Sequence, residues 1–209
     1  LFENNDLPGI FLSGGLQRLM HRFYMRTGNK AVVATHNDDG YDVAQQLLDA
    51  GVAVAGIVDD RSDKEIFSSP DADKLKQAGI PVYSGQTITA ATGRKQIDGV
   101  VLSQTKLACD VLCIAGARTP ANELVFQRTC EGVYILESQN QFTRKPVTDT
   151  HMRVESDMFV AGGASGGQGV NRAWLEGKVA GLSAALDSGH GGKEIEAERE
   201  EAIDKLTKL

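Results

Sequence analysis

Residues 31–59, AVVATHNDDGYDVAQQLLDAGVAVAGIVD, decide the fold. They begin with a short apolar run typical of a buried strand, pass through a polar turn and continue with apolar residues at helical spacing. Gly51 ends that helix, and a second apolar run follows at residues 52–58. Strand, turn, helix and strand in about 30 residues is the length of one βαβ unit. Such units cross over right-handed and build parallel sheets, so the stretch predicts an α/β fold.

The alternation of strands and helices continues on both sides of this unit. Apolar residues at helical spacing predict helices at residues 11–26 and 71–78, and apolar runs predict strands at residues 80–83 and 111–115. Residues 86–103 are rich in β-forming residues around a tight turn, which indicates an antiparallel excursion inside a parallel domain.

A second strand-to-helix turn is marked by glycine. Residues 158–161 form a short apolar run, residues 162–169 are GGASGGQG, and residues 170–186 have helical spacing. Backbone N–H groups at such a helix start can bind an anionic group. A tight turn without a ligand is the alternative, and the length and glycine density of the turn favour a cofactor.

The last predicted element is a charged helix at residues 193–209 with a narrow apolar stripe. We expect this stripe to dock on something outside the chain. Its members are Ile195, Ala202, Leu206 and Leu209.

Composition excludes several classes of protein. The chain has 209 residues, 41% of them apolar and 24% charged, which is typical of a globular protein rather than a disordered or membrane-spanning one. Its net charge of −6 argues against a nucleic-acid binder. Three cysteines and no signal-peptide pattern indicate a reducing compartment, and we expect the protein to be cytoplasmic. The first residue is Leu1 rather than Met, which we interpret as a piece of a longer polypeptide.

The turn after residue 34 is where a dinucleotide-binding unit carries G-x-G-x-x-G, with an acid about 20 residues further on. Thr35, Asn37 and Gly40 stand at the three glycine positions, and Asp59 is the acid. Gly40 keeps the role of close helix–strand packing, and Asp59 could bind a ribose hydroxyl. However, Thr35 and Asn37 carry side chains where a pyrophosphate needs bare backbone, and two adjacent aspartates repel a phosphate. An altered site without a ligand and a working site both remain open.

Residues for nucleophilic or metal chemistry are scattered. Cys109 and Cys113 lie four apart on a predicted strand, which places them on one face about 13 Å apart, so we expect buried structural thiols. Neither they nor the histidines have the spacing of a catalytic triad or a metal site. The four histidines are His21, His36, His151 and His190.

Several stretches, in this order, resemble a known family. They are FENNDLPGI at residues 2–10 with the helix after it, residues 31–41 with Asn37, Asp38 and Tyr41, AGARTP at residues 115–120, and MFVAGG at residues 158–163. Together they resemble the α subunit of heterotetrameric sarcosine oxidase and related flavoprotein amine, proline and opine dehydrogenase subunits. This group belongs to the pyridine-nucleotide–disulfide reductase superfamily, and the resemblance covers about residues 1–190.

The resemblance implies a domain plan. A three-layer, Rossmann-like inner domain at residues 8–118 is inserted into the second half of an FAD/NAD(P)-binding outer domain at residues 119–190. Residues 1–7 then end the first half of the outer domain, and residues 191–209 form a C-terminal helix or linker. The resemblance implies NAD or FAD in the outer domain of the full-length subunit, and it leaves open whether this chain alone binds either. By position the chain contributes Gly163, Ala164, Gly169 and Asn171 to that site. Gly163 departs from the acid that ends the superfamily's flavin motif, and there is no C-x-x-C.

The resemblance also implies a function. The chain is expected to be part of an oxidoreductase complex that oxidises a secondary or N-methyl amine, with the reacting flavin and the amine on a partner β subunit. No catalytic residue, metal site, nucleic acid or membrane is then expected for these 209 residues. Two alternatives are an NAD(P)H-dependent reductase module with a working inner site, and a non-catalytic assembly domain.

Overall fold

The computed structural model describes residues 2–66, 70–103, 105–116, 119–128, 131–138, 141–166 and 169–209. The chain divides into two compact units, Leu1–Ala117 and Arg118–Leu209. Parts of two predicted motifs lie outside the described residues: Ala117 and Arg118 of AGARTP, and Gly167 and Gln168 of the glycine-rich turn.

The first unit contains eight described strands and four described helices. The strands are β1 (Ile10–Leu12), β2 (Lys30–Thr35), β3 (Ala53–Asp59), β4 (Val82–Ser84), β5 (Ala90–Gly93), β6 (Ile97–Val101), β7 (Lys106–Ala108) and β8 (Val111–Ala115). The helices are α1 (Ser13–Phe23), α2 (Asp39–Asp49), α3 (Asp63–Ile66) and α4 (Pro70–Gln77).

Five of these strands form a parallel sheet in the order β1-β8-β2-β3-β4. The chain leaves β2 towards β3 and β4 on one side, whereas β8 and β1 lie on the other side. The strand order therefore reverses between β2 and β8, and crevices for ligands occur at such a point beyond the carboxyl ends of the strands. The register aligns Thr35 with both Asp59 and Ala115 at that edge. The predicted α/β fold with a parallel sheet is confirmed.

The sheet is covered on both faces, as continuous apolar strands require. On one face Val33, Ile57 and Cys113 pack with Leu16 of α1 and Leu47 of α2. On the other face, Val32, Val58 and Leu112 pack with Val100 and other residues of the three-stranded sheet β5-β6-β7. That sheet is antiparallel, so the predicted excursion is confirmed and the unit has three layers.

The predicted helix at residues 11–26 was too long at both ends. Residues 10–12 form β1, which pairs in parallel with β8, and α1 covers only Ser13–Phe23. A continuous apolar run fits a strand and a buried helix equally well, so periodicity alone does not separate them.

The prediction that Cys109 and Cys113 share a face was also wrong. Cys109 precedes β8 and packs with the antiparallel sheet, whereas Cys113 packs on the helical face. Both are free and buried, as expected, and burial raises the thiol pKa to about 11 for Cys109 and to about 12 for Cys113.

The second unit combines short antiparallel pairs with two helices. Strands β9 (Gly132–Ser138) and β10 (Gln141–Pro146) pair with each other, as do β11 (Arg153–Glu155) and β12 (Met158–Phe159). The helices are α5 (Val170–Asp187) and α6 (Lys193–Thr207), and a 3-10 turn covers Gly162–Ala164.

The apolar stripe of α6 packs against other residues of the second unit. The expectation that it docks on something outside the chain is therefore wrong. Ala202 is buried and packs with Ile203 and Leu206 of α6 against Val179 and Ala180 of α5. Leu209, at the end of the predicted stripe, is exposed. The partner of the stripe is a helix earlier in the chain, and a helical period does not reveal which surface will cover it.

In the described part of the chain, no helix has both the length and the apolar character to cross a membrane. No group of three or more His, Cys, Asp or Glu side chains is placed there to hold a metal ion.

Candidate functional site

Thr35 closes the carboxyl edge of the sheet at the point where the strand order reverses. Its side chain is almost fully buried, and its hydroxyl lies 2.8 Å from the carbonyl of Asn37 and 3.1 Å from that of Ala115. The backbone N–H of Asn37 in turn donates to the Thr35 hydroxyl at 3.2 Å. One hydroxyl thus ties the end of β2 to the following turn and to the end of β8.

Gly40 allows α2 to approach β2 at this turn. A Cβ built on Gly40 would lie 2.3 Å from the Cβ of Thr35, closer than side-chain atoms pack. The third glycine of a dinucleotide fingerprint has the same role of close helix–strand packing. The structure therefore explains Gly40 by packing alone.

Asp59 ends β3 and is fully buried. It accepts hydrogen bonds from the Tyr41 hydroxyl at 2.8 Å, from the Arg61 backbone N–H at 2.9 Å, and from Arg61 Nε and Nη2 at 3.1 and 2.9 Å. An ionised carboxylate offers about four lone-pair sites. These four donors fill the acceptor capacity of Asp59, and a ribose hydroxyl would have to displace one of them.

Arg61 joins two carboxylates in this network. Its guanidinium lies 2.9 Å from Asp59 and 3.0 Å from Asp38. Burial opposes the charge of Arg61, but both carboxylates outweigh it and raise its pKa. Burial raises the pKa of Tyr41 as well, and the Asp59 carboxylate adds to that effect, so the phenol stays a hydrogen-bond donor.

Asp60 follows Asp59 directly and feels the charges of both Asp59 and Arg61. Burial raises the pKa of its carboxyl group, while nearby His36 acts in the opposite direction. The turn and the end of β3 therefore carry the acids Asp38, Asp39 and Asp60 in addition to Asp59. Negative charge around a helix start disfavours a bound phosphate.

Glu176 organises the glycine-rich turn in the second unit. It lies on α5 with only 2% of its surface exposed. Its Oε2 accepts from the backbone N–H of Gly162 at 2.8 Å and from the Ser165 hydroxyl at 2.6 Å. Its Oε1 accepts from Arg172 Nε at 2.9 Å. The carboxylate thereby fixes the turn against the first turns of α5.

Sequence reasoning missed Glu176, although the sequence contains a signal for it. Glu176 stands three and four residues before Val179 and Ala180, which are both buried. A charged residue on the apolar face of a helix is rarely buried unless it is paired. Such a residue next to a glycine-rich turn predicts a structural hydrogen-bonding role.

The four predicted residues of this turn have different surroundings. Gly163 and Gly169 lie beside open space, because a Cβ there would meet no atom within 4 Å among the described residues beyond their chain neighbours. Gly169 has a φ of +85° and precedes α5, whose first turn carries no acid and contains the exposed Asn171. Ala164 packs partly against Val125 and Val160. The first N–H groups of an α-helix have no partner within the helix, and no acid lies in the first turn of α5.

The structure brings Thr35, Asn37, Gly40 and Asp59 to one edge of the first unit and places the four residues of the glycine-rich turn in the second unit. In the first place, side chains of the chain itself satisfy the carboxylate of Asp59, and in the second Gly163 and Gly169 face open space.

Comparison with curated proteins confirms the predicted resemblance. The chain is 31% identical over 140 residues to sarcosine oxidase subunit alpha of Corynebacterium sp. (strain P-1), which covers 61% of this chain and 14% of the relative. It is 28% identical over 141 residues to the subunit of the same name from Rhizobium meliloti (strain 1021), covering 66% of this chain and 14% of that one. The matched part is thus about a seventh of the length of these relatives. No family model matches the chain.

Solved structures agree on the fold. L-proline dehydrogenase from P. horikoshii superimposes with a TM-score of 0.64 at 18% identity, covering 100% of this chain and 35% of that one. Thioredoxin reductase from T. acidophilum superimposes with a TM-score of 0.60 at 17% identity, covering 76% and 52% of the two chains. At this identity the likeness concerns the fold alone, and the neighbours are oxidoreductases.

Proposed function

We propose that this chain is part of an α-type subunit of a flavoprotein oxidoreductase that oxidises a secondary or N-methyl amine. The similarity to sarcosine oxidase α subunits over 140 residues supports this assignment. In this proposal the first unit is a scaffold that binds no nucleotide, and the second unit supplies half of a dinucleotide pocket.

The observation that carries the scaffold role is the saturation of Asp59. A dinucleotide unit uses the acid at this strand end to accept a hydrogen bond from the ribose. Here Tyr41 and Arg61 already supply four donors to a carboxylate with no exposed surface. The residues present do not fit a dinucleotide in the first unit, and this counts against the NAD(P)H-dependent reductase module.

The glycine-rich turn of the second unit fits a dinucleotide better. The proposed contacts are the backbone N–H groups around Gly163, Ala164 and Gly169 and the amide of Asn171, which would hold the pyrophosphate of NAD or FAD. The open space beside Gly163 and Gly169 supports this role. Sequence outside these 209 residues would supply the other half of the pocket, including its glycine fingerprint.

The chemical step is assigned to a partner. A flavin on a β-type subunit of the same enzyme would supply the redox chemistry, and this chain would contribute support rather than reacting groups. Free cysteines such as Cys109 and Cys113 are compatible with the proposed cytoplasmic location.

The test uses the full-length protein purified with its partner subunits. Sarcosine added without oxygen should bleach the flavin absorbance, and denaturation should release NAD or FAD from the α-type subunit. Gly163→Leu should lower the dinucleotide content because it fills the open space beside the turn, whereas the control Gly177→Leu on α5 should not.

Each part of the proposal has its own contrary outcome. Absence of flavin bleaching with sarcosine and other secondary amines contradicts the amine-oxidising role. Release of no dinucleotide from the wild-type complex would favour the assembly domain instead. Loss of the dinucleotide in Asp59→Asn, with Gly163→Leu unaffected, would place the nucleotide in the first unit.

A further inference from the structure

Six consecutive exposed residues form the end of α1 and the segment directly after it, and we name them the α1 tip: His21-Arg22-Phe23-Tyr24-Met25-Arg26. Three of them are large apolar side chains in water: Phe23 is 56% exposed, Tyr24 89% and Met25 54%. Single exposed apolar residues are common, but a contiguous group flanked by charge is typical of an interaction surface.

The backbone of the α1 tip holds Tyr24 in an unfavourable conformation. Tyr24 caps α1 with φ of 52° and ψ of 35°, and the N–H groups of Tyr24 and Met25 both point to the carbonyl of Leu19. Glycine is the usual residue at this left-handed position because other residues are strained there. A strained, exposed aromatic residue has no evident role in packing, and strained residues concentrate at functional sites.

The sequence segment that contains the α1 tip carries basic residues and no acid. Residues 7–37 contain no Asp or Glu but carry Arg18, Arg22, Arg26 and Lys30, in a chain whose net charge is −6. Arg18, His21 and Arg22 line an open groove together with Tyr24. Three arginines therefore lie on or next to the α1 tip, and residues 7–37 supply no acid to offset them.

Hydrogen bonds between α1 and α2 hold one side of the groove in place. Gln46 of α2 lies 2.7 Å from His21 Nε2, accepts from Gln17 at 3.2 Å and donates to Asp42 at 2.7 Å. His21 is thus oriented before any partner arrives. Side chains that are already ordered lose less conformational entropy on binding.

We propose that the α1 tip is a docking surface for a polypeptide partner that presents Asp and Glu side chains around an apolar centre. Aromatic residues, Met and Arg are the types enriched in protein interfaces, and five of the six residues of the α1 tip belong to them. The arginines require an acidic rim on the partner for charge complementarity. The net charge of −6 disfavours a nucleic acid as the occupant.

This inference rests on the proposed function, which places the chain in an enzyme of several subunits. The test therefore mixes the full-length α-type subunit with separately produced flavin-bearing subunit and measures the Kd by analytical ultracentrifugation at low and at high salt. Tyr24→Gly removes the aromatic side chain and at the same time relieves the left-handed strain, so the variant folds at least as well as the wild type. Arg18→Glu/Arg22→Glu reverses the charge.

Both variants should raise the Kd at least tenfold, and the wild-type affinity should fall as the salt concentration rises. The control Arg94→Glu/Lys95→Glu makes the same charge change in the exposed turn between β5 and β6 and should bind as the wild type does. If Tyr24→Gly and the charge-reversal variant both bind the flavin-bearing subunit with the wild-type Kd, the α1 tip is not the docking surface, and the proposed function remains intact.

Other results overturn the inference in favour of another occupant or of none. Self-association of the α-type subunit that both variants abolish assigns the α1 tip to a second copy of this chain. If the wild-type subunit binds a fluorescent single-stranded oligonucleotide and both variants lose that binding, the α1 tip is assigned to a nucleic acid. If the wild-type subunit does not bind the flavin-bearing subunit, the multi-subunit proposal fails together with this inference.

Discussion

The phenolic hydroxyl of Tyr41 donates a 2.8 Å hydrogen bond to the buried carboxylate of Asp59. Tyr41 lies in the first turn of α2 and Asp59 ends β3, so the bond joins the two elements that enclose a nucleotide in a dinucleotide-binding unit. Together with Arg61 it converts an acid that could bind a ribose into part of the core. The scaffold role of the first unit depends on this relationship.

Tyr41→Phe keeps the ring and removes the hydroxyl. We expect the free energy of unfolding of the first unit to fall by about 1–3 kcal/mol, because a buried carboxylate oxygen loses a donor. Urea denaturation followed by circular dichroism measures the change. Tyr24→Phe is the matched control, since Tyr24 is exposed, and it should change stability by less than about 0.5 kcal/mol. Equal stability of both variants and the wild type contradicts the network.

Gly40→Ala tests why this position is glycine. The added Cβ would lie 2.3 Å from that of Thr35, so we expect a loss of about 1–3 kcal/mol from overpacking. Gly15→Ala in α1 meets no atom within 4 Å and should stabilise the helix by about 0.5–1 kcal/mol. In the double variant Thr35→Gly/Gly40→Ala the two effects should be clearly less than additive. If the losses of stability from the two substitutions are additive, Thr35 is not the residue that excludes a side chain at position 40.

Glu176→Gln tests the buried carboxylate beneath the glycine-rich turn. The substitution keeps the size of the side chain but removes the charge that Gly162, Ser165 and Arg172 share, so we expect a loss of about 1–3 kcal/mol. The readout is hydrogen exchange at the Gly162 amide, which should become about tenfold faster or more. Glu123→Gln, at an exposed position of the same unit, should leave that amide unchanged. Equal protection in both variants would contradict the assigned role.

Asp110 makes stability depend on pH. Its carboxylate accepts from the backbone N–H groups of Lys30 at 2.7 Å and Asn29 at 3.0 Å, and from the Asn29 side chain at 2.9 Å. Burial opposes its charge, but these hydrogen bonds outweigh burial and lower the pKa. A carboxyl group whose pKa is lower in the folded than in the unfolded state stabilises the fold at pH values above the unfolded-state pKa, which is about 3.9 for Asp. This contribution is lost as the pH falls from that value through the folded-state pKa.

Asp110→Asn should therefore be less stable than the wild type at neutral pH, and the difference should shrink as the pH falls below about 4. Thermal unfolding of both proteins across this range measures it. A difference that stays constant with pH contradicts the assignment.

The hydrophobic pattern of the sequence predicted those helices and strands whose signals lie within one continuous stretch of the chain. Strands β2 and β3, helix α2 and the position of Asp59 at a strand end followed from residues 31–59. The packing role of Gly40 followed from the fingerprint, and its contact with Thr35 agrees with it.

What the sequence left undecided depends on contacts between distant segments. The donors that surround Asp59 come from Tyr41 and Arg61, and spacing alone does not reveal that both side chains turn towards one carboxylate. The sequence pattern assigns most of β1 to the following helix, because the strand that pairs with it, β8, lies about a hundred residues later. The apolar stripe of α6 packs against α5, and helical periodicity alone cannot identify the surface that an apolar stripe packs against.

Calorimetric titration of this chain with NADH tests whether the first unit binds a dinucleotide. We expect no saturable heat up to about 1 mM NADH. Saturable binding in the low micromolar range that Asp59→Asn abolishes, with the circular dichroism of the variant unchanged, would contradict this expectation.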